Sequence, residues 1–483
     1  MKRFSRNVLL FILSAWITSC NLLEVDTVSD ITNDDYWKSK GDVESYVYGI
    51  YTSFRGTVNS SALYHYEDRG DSFVRGLTGG PSTAWNQDLS GAQGVSWASF
   101  YTVIQHCNNL IKNAETVRFA IEAEKNSFLA EAYFIRAYMY FCVVRSFGDA
   151  PLELIPTESS KKEKLPRSPA DEVMKRILED VDLAIELFGT DGYPNGKSRA
   201  SRPACYALKA DALLWKYKVL QTGSEQDLKD IITLADQASV GLSLDKFSDI
   251  FATKKGPEII FSVHFDINEQ AGQYSNQLKP KESHVSSAVN KDQIAWAKTA
   301  AGTTYRLSEQ VVNIFDNPMD IRKVNSIIEA VDADNTSIGW FDNKMRGTEA
   351  SGDRAYDNDI IIYRLAEMYL FKAEAYAALN EIENAMKQMN LVRGRACTGD
   401  YSGPKDKQAI EKAILDERFR EFYLERKRWP DLVRFHYGGT INVYTIVPNL
   451  KGKESLPLFF PIPQKDMDLN PKLEQTEGYE TIN

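Results

Sequence analysis

The chain has 483 residues, far more than one minimal hydrophobic core requires, and a formal charge of −10. With no basic stripe to offset it, that acidic balance argues against nucleic acid as a partner. Five cysteines without a CxxC pair make neither a disulfide framework nor a zinc site.

Lys2, Arg3 and Arg6 precede an apolar run from Val8 to Ile17, and Thr18-Ser19 sets small residues ahead of Cys20. This order predicts an export signal over 1–19, its apolar run too short to span a bilayer. Because it ends on cysteine, it resembles a bacterial lipoprotein signal, with Ile17 and Ser19 where leucine and glycine or alanine are commonest. An ordinary secretory signal with an incidental cysteine is the alternative. In the lipoprotein reading Cys20 is the lipid attachment site, and two or more acyl chains, at about 0.8 kcal/mol per buried methylene, anchor a soluble domain. Removing three cations and no acids takes the charge from −10 to −13. No later stretch approaches eighteen consecutive apolar residues, so the rest of the chain is expected outside the bilayer.

A helical scaffold is predicted over about 36–58, 96–240 and 360–435. Ser96 to Val117 opens with Trp97, Phe100, Tyr101 and Ile104 three or four apart, and Trp97 is expected in the core. Glu122 to Phe147 aligns Phe128, Ala132, Ile135, Met139 and Cys142, and Gly148-Asp149-Ala150-Pro151 ends it. Ser168-Pro169-Ala170-Asp171-Glu172 reads as a serine cap, a proline at the first helical position and first-turn acids, for a helix to about Leu187. Two more helices are predicted over Ser201 to Leu220 and Glu225 to Ala238. Ile361, Leu365, Met368, Tyr369 and Tyr376 mark one helix face, Leu379-Asn380-Glu381 a turn, and Ile382, Ala385, Met389, Val392 and Ala396 a second helix. That hairpin follows the tetratricopeptide style, with 96–147 and 168–220 as degenerate relatives. Lys407 to Arg434 is one more long helix or a helix pair, and 436–483 an irregular tail.

Two polar stretches, about 59–95 and 241–359, interrupt the helices. The second contains one strand-like run, Glu258 to Val263. Insertions of this length on a rigid scaffold commonly carry binding function. Cys107, Cys142 and Cys205 sit in apolar helical stretches and read as small buried hydrophobes; one disulfide stays open, since exported chains meet oxidising conditions.

Four passages together resemble the SusD/RagB family of outer-membrane nutrient-binding lipoproteins. They are Cys20-Asn21-Leu22-Leu23-Glu24-Val25-Asp26 with Ile31-Thr32-Asn33-Asp34-Asp35-Tyr36-Trp37; Glu131-Ala132-Tyr133-Phe134-Ile135-Arg136-Ala137-Tyr138 leading to Phe147-Gly148-Asp149-Ala150-Pro151-Leu152; Arg364 to Leu370 through Ala373-Glu374-Ala375 to Asn390-Leu391-Val392-Arg393-Gly394-Arg395-Ala396; and Glu417-Arg418 with Glu425 to Arg434, Phe460-Pro461-Ile462-Pro463, Asn470-Pro471 and Gly478-Tyr479. The match runs nearly end to end. Ala150 departs from it, since valine or isoleucine is more usual before that proline. Glu131, Arg136, Glu367, Arg393, Arg395, Glu425 and Arg428 sit on or beside apolar helix faces, where charges persist when paired, and are expected in internal ion-pair networks. Glu417, Glu421 and Glu425 are read on one helix stripe, as partners of Arg418, Arg420 and Arg428.

The resemblance implies a single domain over 20–483: mainly α, tetratricopeptide-like hairpins in a right-handed superhelix, with minor β. It also implies a lipoprotein at the exterior face of the outer membrane that passes oligosaccharide or another nutrient to a SusC-like TonB-dependent transporter, without chemistry or cofactor of its own. A sugar site needs aromatic faces and polar side chains on loops. Tyr64, Tyr66, Trp85, Trp296, Tyr305 and Trp340 are the aromatic candidates, and Asp71, Arg75 and Asn86 the hydrogen-bonding ones. No family motif fixes these positions. Two rival readings are a tetratricopeptide-like interaction scaffold and a glycosidase; the latter needs two carboxylates flanking the substrate. The five histidines are dispersed and form no metal cluster, a calcium site in the Asp-rich loops stays open, and Arg69-Gly70-Asp71 is too short a match to an adhesive tripeptide to carry weight.

Overall fold

The computed structural model describes residues 36–158, 163–269, 277–299 and 302–480, with only the backbone of 61–64. The export signal, Cys20, residues 21–33 and the Tyr64 side chain therefore lie outside the described residues.

The chain opens with α1 (Lys40–Val58), whose first turn is tied by the Ser39 amide donating to the Asp42 carboxylate at 2.7 Å. The first insertion follows, with α2 (Ser61–Asp68), β1 (Phe73–Arg75) and the single turn α3 (Thr83–Asn86). Then come α4 (Ala98–Ala114), α5 (Glu122–Phe147), α6 (Ala170–Phe188), α7 (Arg202–Lys218) and α8 (Glu225–Ala238), each packed on the next. Their start and stop signals act as the sequence predicts. Gly148 ends α5 at φ 72, Ser201 accepts from the Ala204 amide, and Ser224 and Asp227 cap each other. One cap differs. Ser168 is engaged in a two-bond bridge with Ala150, so α6 starts at Ala170, whose amide is taken by the Asp149 carboxylate at 2.8 Å. By length and composition α5 is apolar enough to cross a bilayer, yet 89% of its apolar window is buried in the domain core.

The second insertion holds α9 (Phe247–Ala252), β2 (Ile259–Val263), β3 (Tyr305–Leu307), α10 (Glu309–Asn313), α11 (Ile321–Ser326), the hairpin β4 (Ile327–Val331) with β5 (Ser337–Asp342), and the hairpin β6 (Thr348–Ala350) with β7 (Asp353–Ala355). β8 (Ile360–Arg364) then pairs antiparallel with β2. This corrects the reading of Ile361 as part of a helix face. Ile360-Ile361-Ile362-Tyr363 is a β-branched and aromatic run buried on both sides, which suits a strand. The helix starts at Leu365.

The C-terminal hairpin is α12 (Leu365–Ala378) and α13 (Ile382–Arg395), with Asn380 left-handed at φ 62 in the turn. The segment 407–434 resolves into a pair, α14 (Lys407–Phe422) and α15 (Arg428–Tyr437), broken where Leu424 and Arg426 both take positive φ. The tail adds α16 (Val443–Ile446) and α17 (Gln464–Leu469), and buries Leu458, Phe460 and Ile462 in the main core. The architecture is mainly helical, with four two-stranded sheets among the described residues. Cys107, Cys142 and Cys205 are buried free thiols, and Cys397 is exposed.

The charges expected inside are paired. Glu131 binds Arg199, Arg136 binds Asp180 through two bonds of 2.7 and 2.8 Å, Glu367 binds Arg418, and Arg428 grips Asp71 at 2.6 and 2.7 Å. The stripe reading of the three glutamates is corrected. Glu425 lies past the end of α14, and of the proposed local pairs only Glu417–Arg420 forms, at 3.3 Å. The stronger partners come from far along the chain: Arg322 for Glu417 and Glu421, Arg364 for Glu421 and Glu425, Arg395 for Glu421, and Lys344 for Glu425.

Candidate functional site

The two insertions, separate in sequence, are joined by a ribbon. β1 pairs with β3, Phe73 opposite Leu307 and Arg75 opposite Tyr305. Gly76 extends the ribbon, its amide donating to Thr304 at 2.7 Å, and a Cβ there would lie 1.9 Å from the Thr303 carbonyl oxygen. Beneath it a second core, distinct from the scaffold core, includes Phe73, Tyr305, Leu307, Ile327 and Phe419, with Trp85 and Trp340 half-buried against it.

A groove of about 410 Å³ opens between this ribbon and the β4–β5 hairpin. Val74, Arg306 and Leu307 form one wall, Ser337, Gly339 and Trp340 the other, and Glu309, Gln310 and Pro448 close the end. Arg306 crosses the floor. Its Nη1 donates to the Ile338 carbonyl at 3.0 Å, and its stem lies so close to Gly339 that a Cβ would meet Cδ at 2.7 Å. Gly339 also has φ 150, a conformation L side chains rarely adopt. The groove is thus lined by an indole, a guanidinium, a carboxylate, an amide and a hydroxyl, the mixture of apolar surface and polar groups that fixes a small polyhydroxylated ligand.

Of the candidates whose side chains are described, Trp340 alone lines this groove. Arg75 is exposed one residue from Val74, at the ribbon end. Trp85 is half-buried and held from three sides: its indole N–H donates to Phe73 at 3.1 Å, its amide to Ser82 at 3.0 Å, and its carbonyl accepts from Asn449 at 2.7 Å. Asn86 is exposed at the end of α3, with its carbonyl taken by Lys453. Trp296 stands apart, half-buried in a small cluster with Val285 and Phe341, its ring 5.2 Å from the Lys291 ammonium.

Three candidates are withdrawn because their polar atoms are engaged internally. Tyr66 is buried, its hydroxyl donating to the Cys142 carbonyl at 2.9 Å. Asp71 is the buried partner of Arg428. Tyr305 is fully buried, stacked on Phe73 at 5.2 Å, donating to Asp68 and accepting from the Ser82 amide. Burial first, then the Asp68 charge, raises its hydroxyl pKa. Tyr305 and Trp85 hold the ribbon that shapes the groove. Arg69 of the adhesive-like tripeptide is likewise fully buried, which removes that reading.

Sequence reasoning missed Arg306, Glu309, Gln310 and Ser337. Each lies within five residues of Tyr305 or Trp340 in the sequence, so chain proximity to the aromatic candidates was the one signal that pointed there. Among the described residues no group of three or more His, Cys, Asp or Glu side chains is placed to hold a metal ion.

Two family models match the chain, one described as the SusD family over residues 251–479 and one as starch-binding associating with outer membrane over 25–214. SusD-like protein P38 of Formosa agariphila is 24% identical, with 99% of each chain covered. Starch-binding protein SusD of Bacteroides thetaiotaomicron is 34% identical over 154 residues, 29% of this chain and 25% of that one. Among solved structures, B. fragilis NanU superposes with a TM-score of 0.81 at 27% identity, covering 94% of this chain and 100% of that one. A SusD superfamily protein from Bacteroides vulgatus gives 0.79 at 26%, covering 92% and 100%.

Proposed function

Since the chain belongs to the SusD/RagB family, whose members bind glycans and associate with the outer membrane, we propose that it captures oligosaccharide in the groove between its two insertions and delivers it to a TonB-dependent transporter. The observation that carries this reading is the half-buried Trp340 indole facing a groove with Arg306, Glu309 and Gln310. A planar ring gives a pyranose an apolar face to stack on, and the three polar chains reach its hydroxyls. Glu309 is the one carboxylate among the described lining residues, and binding is the role these groups support.

Placement at the cell surface rests on Cys20, read as the acylated first residue of the mature chain. A lipid anchor leaves the domain free to pivot over a transporter mouth while preventing its loss to the medium. The helical scaffold then serves for docking, and the insertions for the ligand.

The test uses the soluble domain, residues 21–483, on a glycan array followed by calorimetry with the oligosaccharide that binds. Trp340→Ala is expected to weaken affinity at least tenfold, about 1.4 kcal/mol, with far-ultraviolet helicity retained and a melting temperature lowered by the lost packing on the second core. In cells, Cys20→Ala is expected to yield folded, ligand-competent protein that no longer stays at the surface. Unchanged affinity in the first variant places the sugar elsewhere; surface retention of the second removes the anchor.

A further inference from the structure

A second cleft, of about 380 Å³, opens at the other end of the β4–β5 hairpin, where the chain leaves β5 at Asn343. Phe247 and Phe251 form its floor, and Lys254, Lys344, Arg346 and Arg354 face Asp357 as the one lining carboxylate. On a protein of net charge −10 this is a local reversal of sign.

The four cations are not equally satisfied. Lys344 is buried and answered by Glu425 at 2.7 Å and by the Glu421 and Tyr423 carbonyls. Lys254 donates to the Phe265 carbonyl and faces Asp357 at 3.4 Å and Asp266 at 3.9 Å. Arg354 holds the carbonyls of Trp296 and Arg346, and its carboxylate contact is the solvent-exposed Glu349 at 3.4 Å. Among the described residues Arg346 has no carboxylate within ion-pair distance. It donates to the Asn343 side chain and to the Gln293 carbonyl. Burial and then the Arg354 charge lower the Arg346 pKa, and the Asp342 carboxylate offsets them only in part. Like charges at close range favour an anion between them, and guanidinium forks bind planar or tetrahedral oxyanions through paired hydrogen bonds.

We propose that this cleft is a second ligand site, which takes the carboxylate or sulfate ester of an acidic sugar. The volume lies in the range of small-molecule sites and exceeds what a bare inorganic anion fills, while the Phe247–Phe251 floor suits the apolar side of a ring. The sugar part of the assignment rests on the glycan-binding reading; the anion part rests on the cleft alone.

Calorimetry at low ionic strength with three probes tests it: glucuronate, a sulfated monosaccharide, and inorganic sulfate. The wild-type protein is expected to bind at least one acidic monosaccharide more tightly than sulfate. Arg346→Gln combined with Lys254→Gln is expected to lower that affinity at least tenfold, and Arg346→Lys to retain part of it. Arg346 is exposed and Lys254 half-buried against Asp357, so a cooperative melt and retained far-ultraviolet helicity certify the fold of each variant. No binding of either acidic sugar, or binding unmoved by the double variant, overturns the site. Binding of sulfate alone overturns its assignment to a sugar. Trp340→Ala with a neutral oligosaccharide reports separately on the groove, so the failure of one site is distinguishable from the failure of the other.

Discussion

Arg364 stands between β8 and α12 with its guanidinium buried, bonded to Glu258 at 2.6 Å, to Glu421 at 2.5 Å and to Glu425 at 2.8 Å, and lying 4.5 Å from the Phe422 ring. Truncating it leaves three carboxylates without their shared cation in a medium that solvates them poorly. Arg364→Ala is therefore expected to cost about 3–5 kcal/mol in urea unfolding. Arg393 makes the useful contrast, being part-exposed with a longer contact to Glu417 at 3.4 Å, and Arg393→Ala is expected to cost about 1 kcal/mol. Equal losses in the two variants would refute the ranking by burial. That such residues pair internally was legible from charges on apolar helix faces. Which partners they take was not, because Glu258, Lys344 and Arg322 reach the network from another part of the chain.

At the level of elements, the helices were the readable part. Periodicity, caps and the glycine or asparagine stops each lie within a few consecutive residues, and α4 to α8, α12 and α13 follow them, apart from the cap of α6 and the start of α12. The insertions were not readable in the same way, since their order comes from pairings such as β1 with β3 that no local pattern announces. Trp340 was found from its residue type and loop position. Arg306 was missed because its role depends on Gly339 lying against its stem. The ribbon itself is testable at Gly76. A methyl group there would overlap the Thr303 carbonyl at 1.9 Å, so Gly76→Ala is expected to part the two insertions. The near-ultraviolet dichroism of Trp85 and Tyr305 should diminish and oligosaccharide affinity fall at least tenfold, while far-ultraviolet helicity stays within a few per cent. A variant with wild-type affinity would show that the groove does not depend on the ribbon.

For the molecule as a whole, buried carboxylates set a two-limbed response to pH. Burial pushes Glu67 up to about 7 from 4.5, against hydrogen bonds from the Leu424 amide and Ser72. The folded state then takes up this proton before the unfolded chain does, so stability rises as pH falls from about 7 to 4.5. Glu374 behaves oppositely. Burial alone would raise it, but Arg434 and Lys218 together hold it at about 2, and Arg364 and its neighbours likewise lower Glu421 and Glu425. Their contribution is complete above 4.5 and is lost as pH falls from 4.5 toward 2. The melting temperature is expected to climb modestly from pH 8 to about 5, then drop steeply. Glu67→Gln should weaken the first limb, to which Glu131, also raised by burial, contributes, and keep the second; a first limb unchanged in that variant assigns it to another group.

Arg69 ties the two ends of the chain together. Its guanidinium donates to the carbonyls of Leu458 and Pro457, 389 and 388 residues away, and lies between the Trp429 and Phe460 rings at 4.4 and 4.9 Å. A fold fastened in this way cannot close while the polypeptide is still being delivered, because the acceptors are among the last residues to arrive. Contacts of such sequence separation also form slowly. The window between arrival of the first helix and seating of the tail is then the period in which proteases and chaperones have access to this protein. A copy lacking the last few dozen residues lacks both acceptors of the Arg69 guanidinium, and is expected to stay open to proteases.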